Sequence, residues 1–437
     1  MNSNLQESVV TFNSRKWAFI VFVFFPKENP MATINASGYN NGTYSFEQQI
    51  FCLSWATVLS FGFRGGASEI ASQTKALLIN VLQDEEIQKL IGVWNLVWGP
   101  GIFSAPIVSD KADNTMFIVA PETDPTQAVV AIAGTSGLVD WVFENFNVKE
   151  TVPWPYGHSS TNPQISKGIN FGLDKLTDME SVDSTTSSSI TAQQYLASQS
   201  FTKVMVTGHS LGGALSPCYA LYLDETRSQW DSIGSAIISC LPTAGQTPGD
   251  INFSQYYDSK LLATTTKIWN LLDIVPHAFN TERLGEIPDL YEPDLSSTDG
   301  IKSLVCQLQQ VTESLNYLNV APDAEGFPSQ VVDLADFTDK YKPIVEAIEE
   351  TIETLKQAGT AFGDNEANGN VEGFIQFIIQ ALIQHTAVYT NKFDVGDFLD
   401  IMLQYQKKKI SPQRLTLLSK PVEGDTRLSK IFSQLST

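Results

Sequence analysis

Ser210 stands in the run Gly208-His209-Ser210-Leu211-Gly212, a G-x-S-x-G pattern. The β-prone Lys203–Val206 precedes it, and apolar residues at helical spacing follow through Leu223. A strand that turns sharply into a helix needs small residues where the two nearly touch, and Gly208 and Gly212 supply them. Such a turn exposes the Ser210 hydroxyl above the strand ends. It also aims the free N–H groups of the helix starting at Leu211 at the same point, where negative charge is favoured. The pattern is that of a nucleophilic serine beside an anion-stabilising helix end. Its bland alternative, a glycine-rich turn with an inert serine, requires no partners, so the partners decide.

An alcohol at its ordinary pKa is a poor nucleophile; it needs a base, and the base needs an orienting acid. The sequence holds 4 histidines: His158, His209, His277 and His385. His209 adjoins the serine and is expected to pack or to make a local hydrogen bond. His158 falls in a loop rich in Pro, Gly and Ser. Asp273 follows the β-prone Thr265–Leu272, which places it just beyond a strand end on the rim that carries Ser210. Capping of the next turn is its alternative role. His277 comes too soon after Asp273 to swing easily onto Ser210. His385 follows the apolar Phe374–Leu382 and is assigned as the base, with His277 as its competitor. The chain order Ser, Asp, His is the one expected on an α/β-hydrolase sheet.

A carbonyl under attack also needs donors for its developing negative charge. Val129–Ala133 leads into Gly134-Thr135-Ser136-Gly137, a sharp turn after a strand. The backbone N–H groups of Thr135 and Leu211, with the Thr135 hydroxyl as a third donor, form the expected oxyanion hole. One such donor is worth about 3 kcal/mol in the transition state.

The elements that must position these groups read as an α/β chain. Residues 46–90 are mainly helical in pattern. Met116–Ala120 and Ala128–Ala133 are β-like neighbours across a turn-rich connection, and a long loop surrounds Pro153–Pro163. A helix is expected over Ile169–Met179, then the Ser210 strand and helix, a strand at Ile233–Cys240 and another at Thr265–Asn270. Strands separated by helices predict an α/β-hydrolase fold: a largely parallel central sheet with helices on both faces. Residues 281–370 read as a helical insertion ahead of His385, with helices over Ile301–Leu318 and Pro343–Leu355. A further helix is expected over Val371–Leu382. Residues 31–437 are taken as one hydrolase domain with that insertion.

These motifs together resemble the class 3 lipases, the fungal-type triacylglycerol lipases. Val130–Trp141, with Gly134-Thr135 and then Asp140-Trp141, resembles the family's oxyanion segment, and Gly208–Leu215 matches its nucleophile motif. Pro248-Gly249-Asp250 with Phe253, Asn270–His277, and His385 with Tyr389 resemble later segments in the family's order. The resemblance implies a triad of Ser210, Asp273 and His385, with Thr135 and Leu211 holding the oxyanion. It also implies carboxylic ester hydrolysis through an acyl-enzyme, needing neither metal nor organic cofactor, and a lid helix after the oxyanion turn. The apolar stripe Leu138, Trp141, Val142, Phe143 and Phe146 makes residues 137–147 the lid candidate; a helix packed permanently on the core is the alternative. Ala133 and Ile165–Ile169 depart from the family pattern, and the long stretch between Asp273 and His385 is more than compact members carry. A phospholipase A1 or a soluble-ester esterase would use the same triad. A non-catalytic hydrolase-like protein that binds lipid or protein is the rival from another class, and the complete triad argues against it.

Bulk properties bound the partners. The chain of 437 residues is 43% hydrophobic and 17% charged, a globular composition, with formal net charge -21. Such acidity argues against nucleic acid and against electrostatic attachment to anionic lipid, while leaving an apolar ester substrate at a lipid–water interface open. Cys52, Cys218, Cys240 and Cys306 show no metal-ligand spacing; Cys218 and Cys240 read as buried small hydrophobes. Arg15-Lys16 precedes the apolar run Trp17–Phe25, which is too short to span a bilayer as a helix. Residues 1–30 are therefore either a signal segment or an upstream extension before Met31, and localisation, secreted or cytoplasmic, stays open with them. No transmembrane segment is expected.

Overall fold

The computed structural model describes residues 40–104, 111–134, 148–157, 159–182, 189–333 and 368–409. The first thirty residues, Thr135, the lid candidate at 137–147, His158 and the helix expected at Pro343–Leu355 lie outside the described residues.

Three helices come first: α1 (Phe46–Ala56), α2 (Ala67–Leu82) and α3 (Glu85–Ile91). A capping box starts α1, the Ser45 side chain taking the Gln48 N–H while the Gln48 side chain returns to the Ser45 N–H. The central sheet follows in the order β1 (Trp94–Phe103), β2 (Asn114–Pro121), β3 (Gln127–Ile132), β8 (Lys203–His209) and β9 (Ile237–Thr243). It is mixed. The short connection between β2 and β3 allows only an antiparallel pair, and β1 also pairs antiparallel. From β3 onward the pairing is parallel, because longer crossovers intervene. The antiparallel edge, and β1 altogether, are features the sequence reading did not anticipate.

Between β3 and β8 run the hairpin β4 (Thr151–Pro153) with β5 (Gln164–Ser166), helix α4 (Lys167–Asp178), the ribbon β6 (Glu180–Val182) with β7 (Ser189–Thr191), and α5 (Ala192–Ala197). The hairpin forms the ends of what reads in sequence as one loop at 153–163. Helix α6 (Leu211–Glu225) links β8 to β9, and α7 (Ile251–Leu261) follows β9. The strand expected at Ile233–Cys240 begins only at Ile237. Asp231 accepts from the Gly234 and Ala236 N–H groups at 2.9 and 2.8 Å and holds that stretch as a turn. Cys240 consequently lies inside the strand. The strand expected at Thr265–Asn270 touches β9 only through isolated parallel bridges, Cys240 to Thr265 and Thr243 to Ile268.

Sheet residues alternate between two cores with period 2. Phe117, Val119, Val129, Ala131, Met205 and Leu241 pack beneath α1 and α2, together with α12 (Ala387–Phe393) and α13 (Gly396–Lys409). Met116, Ile118, Val130, Ile132, Val204 and Val206 pack on the other face against α4, α6 and α7. A third cluster joins α8 (Ile274–His277), α9 (Thr281–Glu286), α10 (Asp299–Thr312) and α11 (Asn368–His385). Helix α10 buries Ile301 and Val305 as the apolar stripe predicts, but stops at Thr312 where a 3-10 turn takes over. Cys218 and Cys240 are buried and Cys306 is exposed; all are free thiols. No described helix is long and apolar enough to cross a membrane.

Candidate active site

Ser210 lies at the carboxyl edge of the parallel strands, between β8 and α6, with φ 62 and ψ -125. Positive φ is strained for a residue with a Cβ, and surrounding contacts hold it: the Ser210 N–H donates to the Thr243 carbonyl at 3.0 Å. The glycines make the turn possible. A Cβ on Gly208 would come within 2.4 Å of the Gly212 backbone, and one on Gly212 within 2.3 Å of the Ile132 carbonyl oxygen. Leu211 opens α6, so its N–H has no carbonyl partner within the helix and points out of its positive end. Thr135, the other expected oxyanion donor, lies outside the described residues.

Asp273 and His385 are 112 positions apart and meet at 2.8 Å, Nδ1 of the imidazole against Oδ2 of the carboxylate. Asp273 is wholly buried and divides its oxygens between two tasks. Oδ1 accepts the Val275 N–H at 3.0 Å, the turn-capping role read as its alternative. Oδ2 accepts from His385 and, at 2.9 Å, from the Tyr389 hydroxyl. Burial, and then the charge of Asp273, push the Tyr389 phenol well above its ordinary pKa, so it remains a neutral donor. With Nδ1 committed to a carboxylate, the neutral imidazole presents Nε2 as an acceptor. That nitrogen is buried and has no hydrogen-bond partner among the described residues.

His277 is placed differently. Its Nδ1 meets the backbone carbonyl of Asp273 at 2.8 Å, and its Nε2 lies 3.3 Å from the Glu286 carboxylate. It braces the turn and leaves the carboxylate to His385. His209 makes the local contacts expected of it, Nδ1 to Thr243 Oγ1 at 3.0 Å and Nε2 to the His385 carbonyl at 2.9 Å. Because a carbonyl can only accept, Nε2 carries the proton and Nδ1 takes the threonine O–H. Burial, followed by the nearby His385, lowers the His209 pKa well below its ordinary value and keeps it neutral.

The end of α11 explains how His385 is held. The last four carbonyls of a helix lack intrahelical partners. Here Thr386 satisfies two of them, its Oγ1 donating to Leu382 at 2.6 Å and its N–H to Ile383 at 3.3 Å. Asn270 Nδ2 donates to the Gln384 carbonyl at 3.0 Å and to its side-chain oxygen at 2.7 Å. His209 takes the His385 carbonyl. The helix terminus is thus tied to the strand end that precedes Asp273 and to the residue beside Ser210. The sequence reading gives Asn270 no role beyond bounding its segment and does not single out Gln384. Their only signal is polarity inside apolar runs, and each is fully buried.

An apolar cleft of ≈ 50 Å³ adjoins this edge, lined by Ile274, Ala278, Ile301, Leu304, Phe377 and Ile378 among others. Ile274 follows Asp273 directly. Phe377 and Ile378 lie two turns before His385 on α11, roughly 12 Å along the helix.

Residues 129–282 match the family model described as Lipase (class 3). Among solved structures the chain is similar to the M37 lipase, with 23% identity, a TM-score of 0.65, and coverage of 84% of this chain and 99% of that one. Weaker likenesses are lipase II from Rhizopus niveus, 16% identical over 54% of this chain and 76% of that one with TM-score 0.35, and the Lip2 lipase from Yarrowia lipolytica, 13% identical over 55% and 78% with TM-score 0.34. No curated protein matches the chain. The M37 likeness shows the fold, an α/β-hydrolase with a mixed central sheet whose core is parallel.

Proposed function

We propose that this chain, whose residues 129–282 match the class 3 lipase model, is a lipase-type serine ester hydrolase in which Ser210 is the nucleophile, His385 the general base and Asp273 the carboxylate that orients the base. The reading rests on one observation above others: Asp273 holds Nδ1 of His385 at 2.8 Å while Nε2 is buried beside the elbow with no partner among the described residues. A histidine serving only to pack would have little reason to keep a buried nitrogen unsatisfied.

In the proposed reaction, His385 Nε2 takes the Ser210 proton as Oγ attacks the ester carbonyl. Asp273 stabilises the imidazolium that results. Charge gathers on the former carbonyl oxygen, where the Leu211 N–H, and by expectation Thr135, donate to it. His385 then protonates the departing alcohol. Water attacks the acyl-serine with His385 again as base, and the free acid leaves.

Acylglycerols are the proposed substrates. The apolar cleft begins at the residue after Asp273 and offers an acyl chain a surface without polar competition. A release panel of tributyrin, trioctanoin, triolein and phosphatidylcholine tests this, with His385→Ala and His277→Ala assayed beside the unaltered chain. Hydrolysis of the longer triacylglycerols is expected, with His385→Ala reduced by about 10⁴-fold or more and His277→Ala retaining substantial turnover. Hydrolysis limited to monomeric tributyrin would make it a soluble-ester esterase. Preferential sn-1 cleavage of phosphatidylcholine would make it a phospholipase A1, and the reverse ranking of the histidines would move the base to His277.

A further inference from the structure

Behind the turn that carries Asp273 lies a second cavity, of ≈ 50 Å³, whose chemistry differs from that of the apolar cleft. Its lining includes Thr247, Lys267, Trp269, Asn280, Arg283 and Asn319. In a chain of net charge -21, two cations converge on this one space. Among the described residues Lys267 Nζ donates only to neutral acceptors, the Val320 carbonyl at 3.1 Å and the Ala321 carbonyl at 3.5 Å. Arg283 lies over the Trp269 ring, 4.8 Å from its centroid. Among the described residues neither cation has a carboxylate within ion-pair distance, although acids are abundant elsewhere on the surface. Asp258, the acid whose field reaches Lys267, spends its Oδ1 on the Ala321 N–H at 2.9 Å. Thr247 contributes a third feature: its hydroxyl is buried and has no hydrogen-bond partner among the described residues.

Two like charges brought together and partly desolvated, beside an unsatisfied buried hydroxyl, are unfavourable as they stand. Burial, with Arg283 adding to it, lowers the Lys267 pKa to about 7, which expresses the same cost. An anion that accepts hydrogen bonds would relieve all three groups at once, taking the guanidinium, the third ammonium proton and the threonine O–H. We propose that this cavity is a binding site for a small oxyanion, a phosphate or carboxylate group, separate from the ester-hydrolysis site. Pro276, within the turn that follows Asp273, also lines the cavity, and the Thr247 N–H donates to the Ala278 carbonyl at 2.7 Å. Occupancy would therefore brace the segment from which Asp273 reaches His385.

Isothermal titration of the full chain in a chloride-only buffer tests the site with two probes, inorganic phosphate and octanoate. Lys267→Met, Arg283→Gln and Thr247→Val are titrated alongside, each first shown to melt cooperatively. Saturable binding of at least one probe is expected, weakened about tenfold or more in Lys267→Met and Arg283→Gln and less in Thr247→Val. Stronger binding of phosphate points to a phosphate group, free or on a head group, and stronger binding of octanoate to a fatty-acid carboxylate. No saturable heat from either probe, or binding unaltered in both cation variants, overturns the proposal. The readout is binding, so it stands or falls independently of whether Ser210 hydrolyses esters.

Discussion

Tyr389 shows how much of the site's electrostatics hangs on single atoms. Its hydroxyl donates to Asp273 Oδ2 and accepts from the Asn270 N–H, both at 2.9 Å. Tyr389→Phe removes one of the three donors to the Asp273 carboxylate and leaves it those of Val275 and His385. The predicted result is a loss of about tenfold in kcat/KM, the value of one hydrogen bond to a charged group. Steady-state rates on a p-nitrophenyl ester measure it. An unchanged rate would reduce Tyr389 to packing. At this scale the sequence was legible wherever chemistry demands a rare residue at a fixed place. The placement of Ser210 in a turn between two glycines, and of Asp273 in the turn after a β-prone run, was readable. Asn270 and Gln384 were not, because a polar residue inside an apolar run carries no sign of which distant carbonyl it will cap.

Elements bring the distant parts together. β8 and α6 present Ser210, the strand end at Asn270 presents Asp273, and α11 presents His385 with its last two carbonyls satisfied by groups from the other two. Helix α10 belongs to the stretch that separates Asp273 from His385, and its apolar face lines the cleft. Leu304→Trp should therefore shorten the accepted acyl chain, depressing release from triolein several-fold more than release from tributyrin. Equal loss on both substrates would separate the cleft from acyl binding. Periodicity made α4 and α10 readable in the sequence, because each buries one stripe, while α6 and α11 stood out as apolar runs of helical length. It failed for β1, whose Trp94-Asn95-Leu96-Val97-Trp98-Gly99-Pro100 alternates poorly and whose pairing with β2 contains register shifts. It also failed for Thr265–Asn270, since a β-prone run does not reveal whether its partner will offer a full ladder or two bridges.

For the whole molecule, the buried bases set how stability depends on pH. His209 and His277 both have pKa values pulled below the ordinary 6.5 by burial. The unfolded chain then binds more protons than the folded one as pH falls past 6.5, and stability is lost in that direction. Lys267 acts the same way higher up: folded near 7 and unfolded at 10.5, it makes stability rise with pH across that window. Differential scanning calorimetry in buffers free of phosphate and carboxylate should show melting temperature falling from pH 7 to 5. Lys267→Met should gain most over the unaltered chain near pH 7 and least near pH 10; a gain independent of pH would place the ammonium in water. The central claim concerns Ser210, and it is tested most directly by intact mass spectrometry after treatment with a fluorophosphonate. The account predicts one adduct per chain, mapped to Ser210, absent in a folded Ser210→Ala protein and formed far more slowly in His385→Ala. An adduct on another residue, or full ester turnover in Ser210→Ala, would contradict it.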